Sequence, residues 1–144
     1  METIGTGILI RQIVIGILAV SATVAIQAEV LNLLSRKLGW MLTHLRRLPG
    51  RWSETGTIVI AVHTILLAHI LEVSLWAIVL HFTGAVEGAE PALYFSLVCF
   101  TTLGFGDITL PVEWRFLSAI IGANGFLMFG WSTAYMVELI RRIH

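Results

Sequence analysis

Twenty-two consecutive residues, Phe116–Val137, carry no formal charge, and a run of 26, Thr57–Phe82, carries only one glutamate and three histidines. A bilayer core about 30 Å thick is crossed by roughly 20 apolar residues in a helix. Hydrocarbon leaves no backbone group to be satisfied by water, so such runs must be helical. A shorter run, Gln12–Ala28, has 17 uncharged residues between Arg11 and Glu29 and is read as a further span. The ten residues before Arg11, METIGTGILI, contain no basic side chain, which argues against a cleaved leader. Composition agrees with a membrane protein. The 144 residues are 57% hydrophobic and 12% charged, where a soluble domain carries about 25% charged residues. Cys99 is the single cysteine, so there is no intrachain disulfide to read. No basic patch with interleaved aromatics points to nucleic acid.

Charge placement sets the expected orientation. Arg36, Lys37, Arg46, Arg47 and Arg51 lie between the first two spans, and Arg141 and Arg142 follow the third. Seven of the nine Lys and Arg residues therefore mark one side, which the positive-inside rule makes cytoplasmic. The opposite side holds Glu87, Glu90, Asp107 and Glu113, with Arg115. A multi-pass protein of the cell (inner) membrane is expected, amino terminus outside and carboxyl terminus cytoplasmic. Within the basic connection, Leu38, Met41, Leu42, Leu45 and Leu48 form a helical apolar stripe stopped by Pro49-Gly50. It is read as a short amphipathic helix lying in the interface, either a topology anchor or a functional element.

Between the second and third spans, Ala92–Phe100 is apolar but only nine residues long, too short to cross. Pro91 suits a first helical turn. A helix of 11 residues from there to Thr101 rises about 16 Å, roughly half the core. Its carbonyl end would face the middle of the bilayer and favour a cation there. The next residues, TTLGFGD (Thr101 to Asp107), are poor helix formers, so the chain is expected to return outward as a re-entrant loop. Irregular backbone at that depth survives only when buried in protein or lining a wet path.

Thr-Thr-Leu-Gly-Phe-Gly-Asp resembles the signature of the potassium-channel pore family, usually Thr-Thr-Val-Gly-Tyr-Gly-Asp. ALYFSLVCF resembles a pore helix and NGFLMFGWSTAYM a pore-lining inner helix. The similarity covers about Thr55–Arg142 and is to small bacterial two-transmembrane channels, here with an extra amino-terminal span. It implies an all-α membrane protein with three parts: an amino-terminal transmembrane helix (residues 1–34), an interfacial helix and linker (35–54) and a pore domain (55–144). Within the last, the outer helix is expected at 55–83, the pore helix at 91–101, the filter at 102–107 and the inner helix at 113–142. The resemblance also implies that carbonyls of Thr102, Leu103, Gly104 and Phe105 hold K⁺, with Gly106 completing the ribbon and the Thr102 hydroxyl closing the innermost site. Such a filter replaces the ion's hydration shell with rings of carbonyls, and Gly104 and Gly106 tolerate the backbone that requires. One strand per chain implies a homotetramer, with membrane lipid and K⁺ as partners. Neither a cofactor nor enzymatic chemistry is expected.

Departures from the family pattern are as informative. Phe105 stands where relatives have a tyrosine, and Phe95 where its tryptophan partner would be; Val98 replaces a buried glutamate found in some channels. Tyr94 is left to brace Asp107. A filter with fewer hydrogen bonds should inactivate more readily. On the inner helix, Gly125 is read as a hinge, with Phe129 and Thr133 lining the cavity; Phe129, Trp131 and Tyr135 are alternative narrowing points. His69 and Glu72, at i and i+3 in the second span, are either a proton-sensitive brace reaching Asn124 or a packing pair; no second ligand pair suggests a metal there. The aromatics Trp52, Trp76 and Trp114 are read as interface anchors. The sequence closes at His144, so no ligand-binding domain is expected. Neither early span has the arginine spacing of a voltage sensor. A non-conducting scaffold with a channel-like fold is the alternative to a K⁺ channel.

Overall fold

The computed structural model describes residues 5–45 and 52–143, apart from the side chains of Met41, Leu42, Leu45 and Ser53. Four helices follow in order: α1 (Thr6–Leu45), α2 (Trp52–Phe82), α3 (Ala89–Phe100) and α4 (Arg115–Ile143). Three of them, α1, α2 and α4, contain stretches long and apolar enough to cross a membrane; α3 does not. The protein is thus an all-α membrane protein. α1 packs on both α2 and α4, and so does the shorter α3.

α1 differs from the expectation of a span at 1–34 followed by a separate interfacial helix at 35–54. It is one helix of 40 residues, about 60 Å long. The reason lies in its buried positions. Gln12, Gly16, Ala19, Thr23, Gln27, Leu31, Leu34 and Leu38 recur every three or four residues along one unbroken stripe. Leu38 is buried with Leu31, Leu34, Ala61, Ile65 and Leu139, so the basic segment begins as a packed continuation of the span. Arg46, Arg47, Leu48, Pro49, Gly50 and Arg51 lie outside the described residues.

α2 ends where its backbone closes on itself. The Gly84 N–H donates to the His81 carbonyl and the Ala85 N–H to the Leu80 carbonyl, at 3.1 and 3.0 Å. Gly84 has φ +72°, so this is a Schellman turn with glycine in the left-handed position. Five residues later α3 begins at Ala89, two before the expected Pro91. Pro91 still falls in the first turn, where its missing N–H costs no intrahelical bond.

Trp76 corrects the reading of an interface anchor. It is fully buried among Leu80, Phe100, Leu117 and Ile121. Its indole N–H donates to Asn124 Oδ1 at 2.9 Å, so the polar handle is satisfied inside the protein. Trp52 is exposed. Trp114 lies under Arg11, whose guanidinium is 4.2 Å from the ring centroid.

Candidate functional site

α3 terminates in the same turn as α2 but with a different residue at its centre. The Thr102 N–H donates to the Cys99 carbonyl and the Leu103 N–H to the Val98 carbonyl, at 2.9 and 3.0 Å. Thr102 has φ +61°, and among the described residues no other non-glycine residue has positive φ. A side chain in that region costs of order 1–3 kcal/mol and persists only where the surroundings impose it. Beyond it, Gly104 and Gly106 have φ of +56° and +78°, while Leu103 and Phe105 keep negative φ. The sign of φ therefore alternates from 102 to 106. Successive residues of opposite hand turn their peptide groups to one side, as in backbone nests. The Thr101 hydroxyl folds back onto the Leu97 carbonyl at 2.7 Å and leaves the loop to Thr102.

The loop is exposed from Thr102 to Asp107. Leu103 and Phe105 are 61% and 65% exposed in the single chain. Behind the loop, Phe95 and Val98 are buried. With Cys99, Gly104, Gly106 and Leu110 they border a cavity of about 370 Å³. Few polar contacts tie the loop down: the Gly104 N–H also reaches the Val98 carbonyl at 3.3 Å, and the Tyr94 hydroxyl donates to Asp107 Oδ2 at 2.6 Å. That phenol holds the Asp107 carboxyl below the usual carboxylate range, and the carboxylate in turn pushes the Tyr94 hydroxyl above its ordinary value.

Gly125, read as a hinge, sits against α3 itself. A Cβ there would overlap the Phe100 carbonyl oxygen. Only glycine lets α4 approach the end of α3 so closely. Phe129, read as cavity-lining, packs its ring 4.7 Å from His69 and 5.7 Å from Phe100, centroid to centroid. Thr133 is exposed and donates to the Phe129 carbonyl. The most open aromatic of α4 is Phe126, which with Gly130, Thr133 and Val137 makes an exposed stripe at helical spacing.

For a half-length helix and a loop of alternating hand between two flanking spans, comparison with known families decides the class. A family profile described as "Ion channel" matches residues 68–142, just over half of the chain. The chain belongs to this ion-channel family. No curated protein and no solved structure matches it. The matched residues run from the middle of α2 through α3 and the loop to the end of α4, so the channel's pore-type unit is α2–α4 and α1 lies outside the match.

In this channel the pair His69 and Glu72 does come together, with His69 Nδ1 2.8 Å from Glu72 Oε2. It does not reach Asn124, as the sequence reading expects. His69 Nε2 lies 3.1 Å from the Ser132 hydroxyl, and Gln27 Nε2 donates to the same hydroxyl oxygen at 2.6 Å. Each donor finds an acceptor if Ser132 donates to Nε2 and Nδ1–H donates to Glu72. Asn124 is taken by Trp76 and by the Thr23 hydroxyl, both donating to its Oδ1 at 2.9 Å. The reading missed Gln12, Thr23, Gln27 and Ser132. For the first three the signal was in the sequence: positions 12, 23 and 27 fall on one stripe of a span whose only other polar side chain is Ser21.

Proposed function

We propose that this channel is K⁺-selective and works as a homotetramer, with the carbonyls of Thr102, Leu103, Gly104 and Phe105 forming rings around the axis. The observation that carries the reading is the alternating sign of φ through Thr102, Gly104 and Gly106, directly after a helix whose carbonyl end points at the loop. Carbonyl rings substitute for the hydration shell of an ion. The negative end of the α3 dipole adds to the attraction for a cation. Thr102 accounts for the strained position: glycine would serve the turn better, but only a hydroxyl side chain adds a ligand at the inner end of the row.

One strand cannot surround an ion, and four copies close the ring. The exposed Leu103 and Phe105 supply the apolar surface by which neighbouring copies pack. The orientation that follows from the basic residues puts the loop on the outer side of a cell membrane, with Asp107 and Tyr94 at the mouth.

Purified protein in liposomes, carrying a K⁺ gradient and then an equal Na⁺ gradient, tests this directly. Flux of K⁺ well above Na⁺ is expected. Flux of both alike would remove the selectivity claim, and no flux at any pH or voltage would favour a non-conducting scaffold.

A further inference from the structure

α4 is fastened differently on the two sides of Gly125. On the outer side it is held at its first turn, where the Phe116 N–H donates to Gln12 Oε1 at 3.0 Å, and at Asn124, which accepts from Thr23 and Trp76. At Gly125 its backbone meets the backbone of Phe100. The outer half is therefore tied to α1 and α2 by side chains and set against the end of α3 at Gly125.

Beyond Gly125 the polar ties are again to side chains of α1 and α2, but no neighbouring backbone abuts Gly130. Gln27 holds Ser132, which bonds through His69 to Glu72, and the Ser35 hydroxyl donates to the Tyr135 hydroxyl at 3.1 Å. Leu139 is buried among Leu31, Leu34 and Leu38 of α1 and Ala61 and Ile65 of α2. Gln27 Oε1 and Glu72 Oε1 are buried with no hydrogen-bond partner among the described residues, as are Gln12 Nε2 and Asn124 Nδ2 of the outer ties. A half-satisfied buried network holds one arrangement less tightly than a complete one, so what separates the halves is Gly125: its backbone contact with Phe100 fixes the outer half, and a glycine within the helix lowers the cost of bending there.

We propose that α1 is a clamp on the inner helix, and that Gln27–Ser132 and Ser35–Tyr135 form a latch that must part before the inner half of α4 swings about Gly125 to admit ions. The clamp rests on the channel reading. It assigns a role to α1, which lies outside the matched family segment. The Gln12–Phe116 tie, by contrast, is a cap on the first turn of α4 and stays made in both positions.

The test pairs loosening with bridging, both read as K⁺ flux from liposomes. Gln27→Met and Ser132→Ala, singly and together, should raise flux at least about threefold through a shift toward the unlatched state. Gln12→Met should change it by less than about twofold because it loosens neither latch contact. In a Cys99→Ala background, Ser35→Cys with Tyr135→Cys, bridged by a short reducible bifunctional thiol reagent, should lower flux at least about tenfold by excluding the unlatched state, and reductant should restore it. Gln27→Met retains the length of the side chain, so it gives a readout even if Ser132→Ala fails to assemble. Flux that is unchanged by bridging, or that rises with it, overturns the latch while native flux still upholds the channel. If neither the native chain nor a loosened variant passes K⁺, the channel reading falls and the latch with it.

Discussion

α2 and α3 close with the same turn, yet α2 puts Gly84 in the left-handed position and α3 puts Thr102 there. At the end of α2 the turn only has to reverse the chain, and glycine does so without strain. At the end of α3 the same geometry is kept with a residue that resists it, followed by two glycines that do not. Strain retained at one of two equivalent turns marks the one that does more than turn. The contrast is one of demand: Gly84 satisfies helix carbonyls, whereas Thr102 satisfies them and begins the loop proposed to hold the ion.

Straining the loop further should have the largest effect. Gly104→Ala puts a Cβ at positive φ and costs about 1–2 kcal/mol in each copy; in a ring of four this should suppress K⁺ flux by more than about tenfold. Helix content by circular dichroism should stay unchanged. Thr102→Gly makes the two turns alike. It should keep or slightly raise the thermal midpoint and lower the K⁺/Na⁺ flux ratio; an unaltered ratio would mean that the hydroxyl is not a ligand. Phe105→Tyr restores a hydroxyl to a loop with few polar ties and should lengthen single-channel openings, and unchanged lifetimes would count against a loosely held loop. Gly84→Ala strains the other turn, so it should cost about 1 kcal/mol of stability in a melting experiment and leave the flux ratio untouched.

The smallest effect concerns Asp107. Its carboxyl lies below the usual range because Tyr94 donates to it, so the contact is present above about pH 4 and lost as pH falls through the lowered value. At the alkaline end the raised Tyr94 hydroxyl keeps its proton, and the contact, to a pH above the ordinary phenol range. External acidification from pH 7 to 5 should therefore leave flux unchanged in the native chain. Tyr94→Phe returns Asp107 toward the ordinary carboxylate range, so the acid decline in flux should start at higher pH.

The loop was legible because its chemistry is local. Gly104, Gly106 and Thr102 act through their own backbone, and the half-length helix before them is a matter of counting. The membrane spans were legible because lipid imposes length and composition. What escaped depended on which face of a helix meets which neighbour. Trp76 stands near the end of an apolar run, as an interface anchor would, and only its partner Asn124 on α4 makes it an interior residue. Ser132 looks like any small polar residue until α1 and α2 bring Gln27 and His69 to it. The continuous α1 was hidden by a change of surface chemistry. Basic residues appear at Arg36 and Lys37, but the buried stripe passes through Leu34 and Leu38 without interruption. Reading that stripe rather than the charges would have joined the two segments.

Scattering from a bound ion would locate the proposed row of sites. In crystals of the assembled protein grown in Tl⁺, a heavier stand-in for K⁺, anomalous maps should show a single-file row of sites on the symmetry axis between the carbonyls of residues 102 and 105. A Thr102→Gly protein should lose the innermost of them. An axis with no ordered ion beside Thr102 to Phe105 would contradict the account.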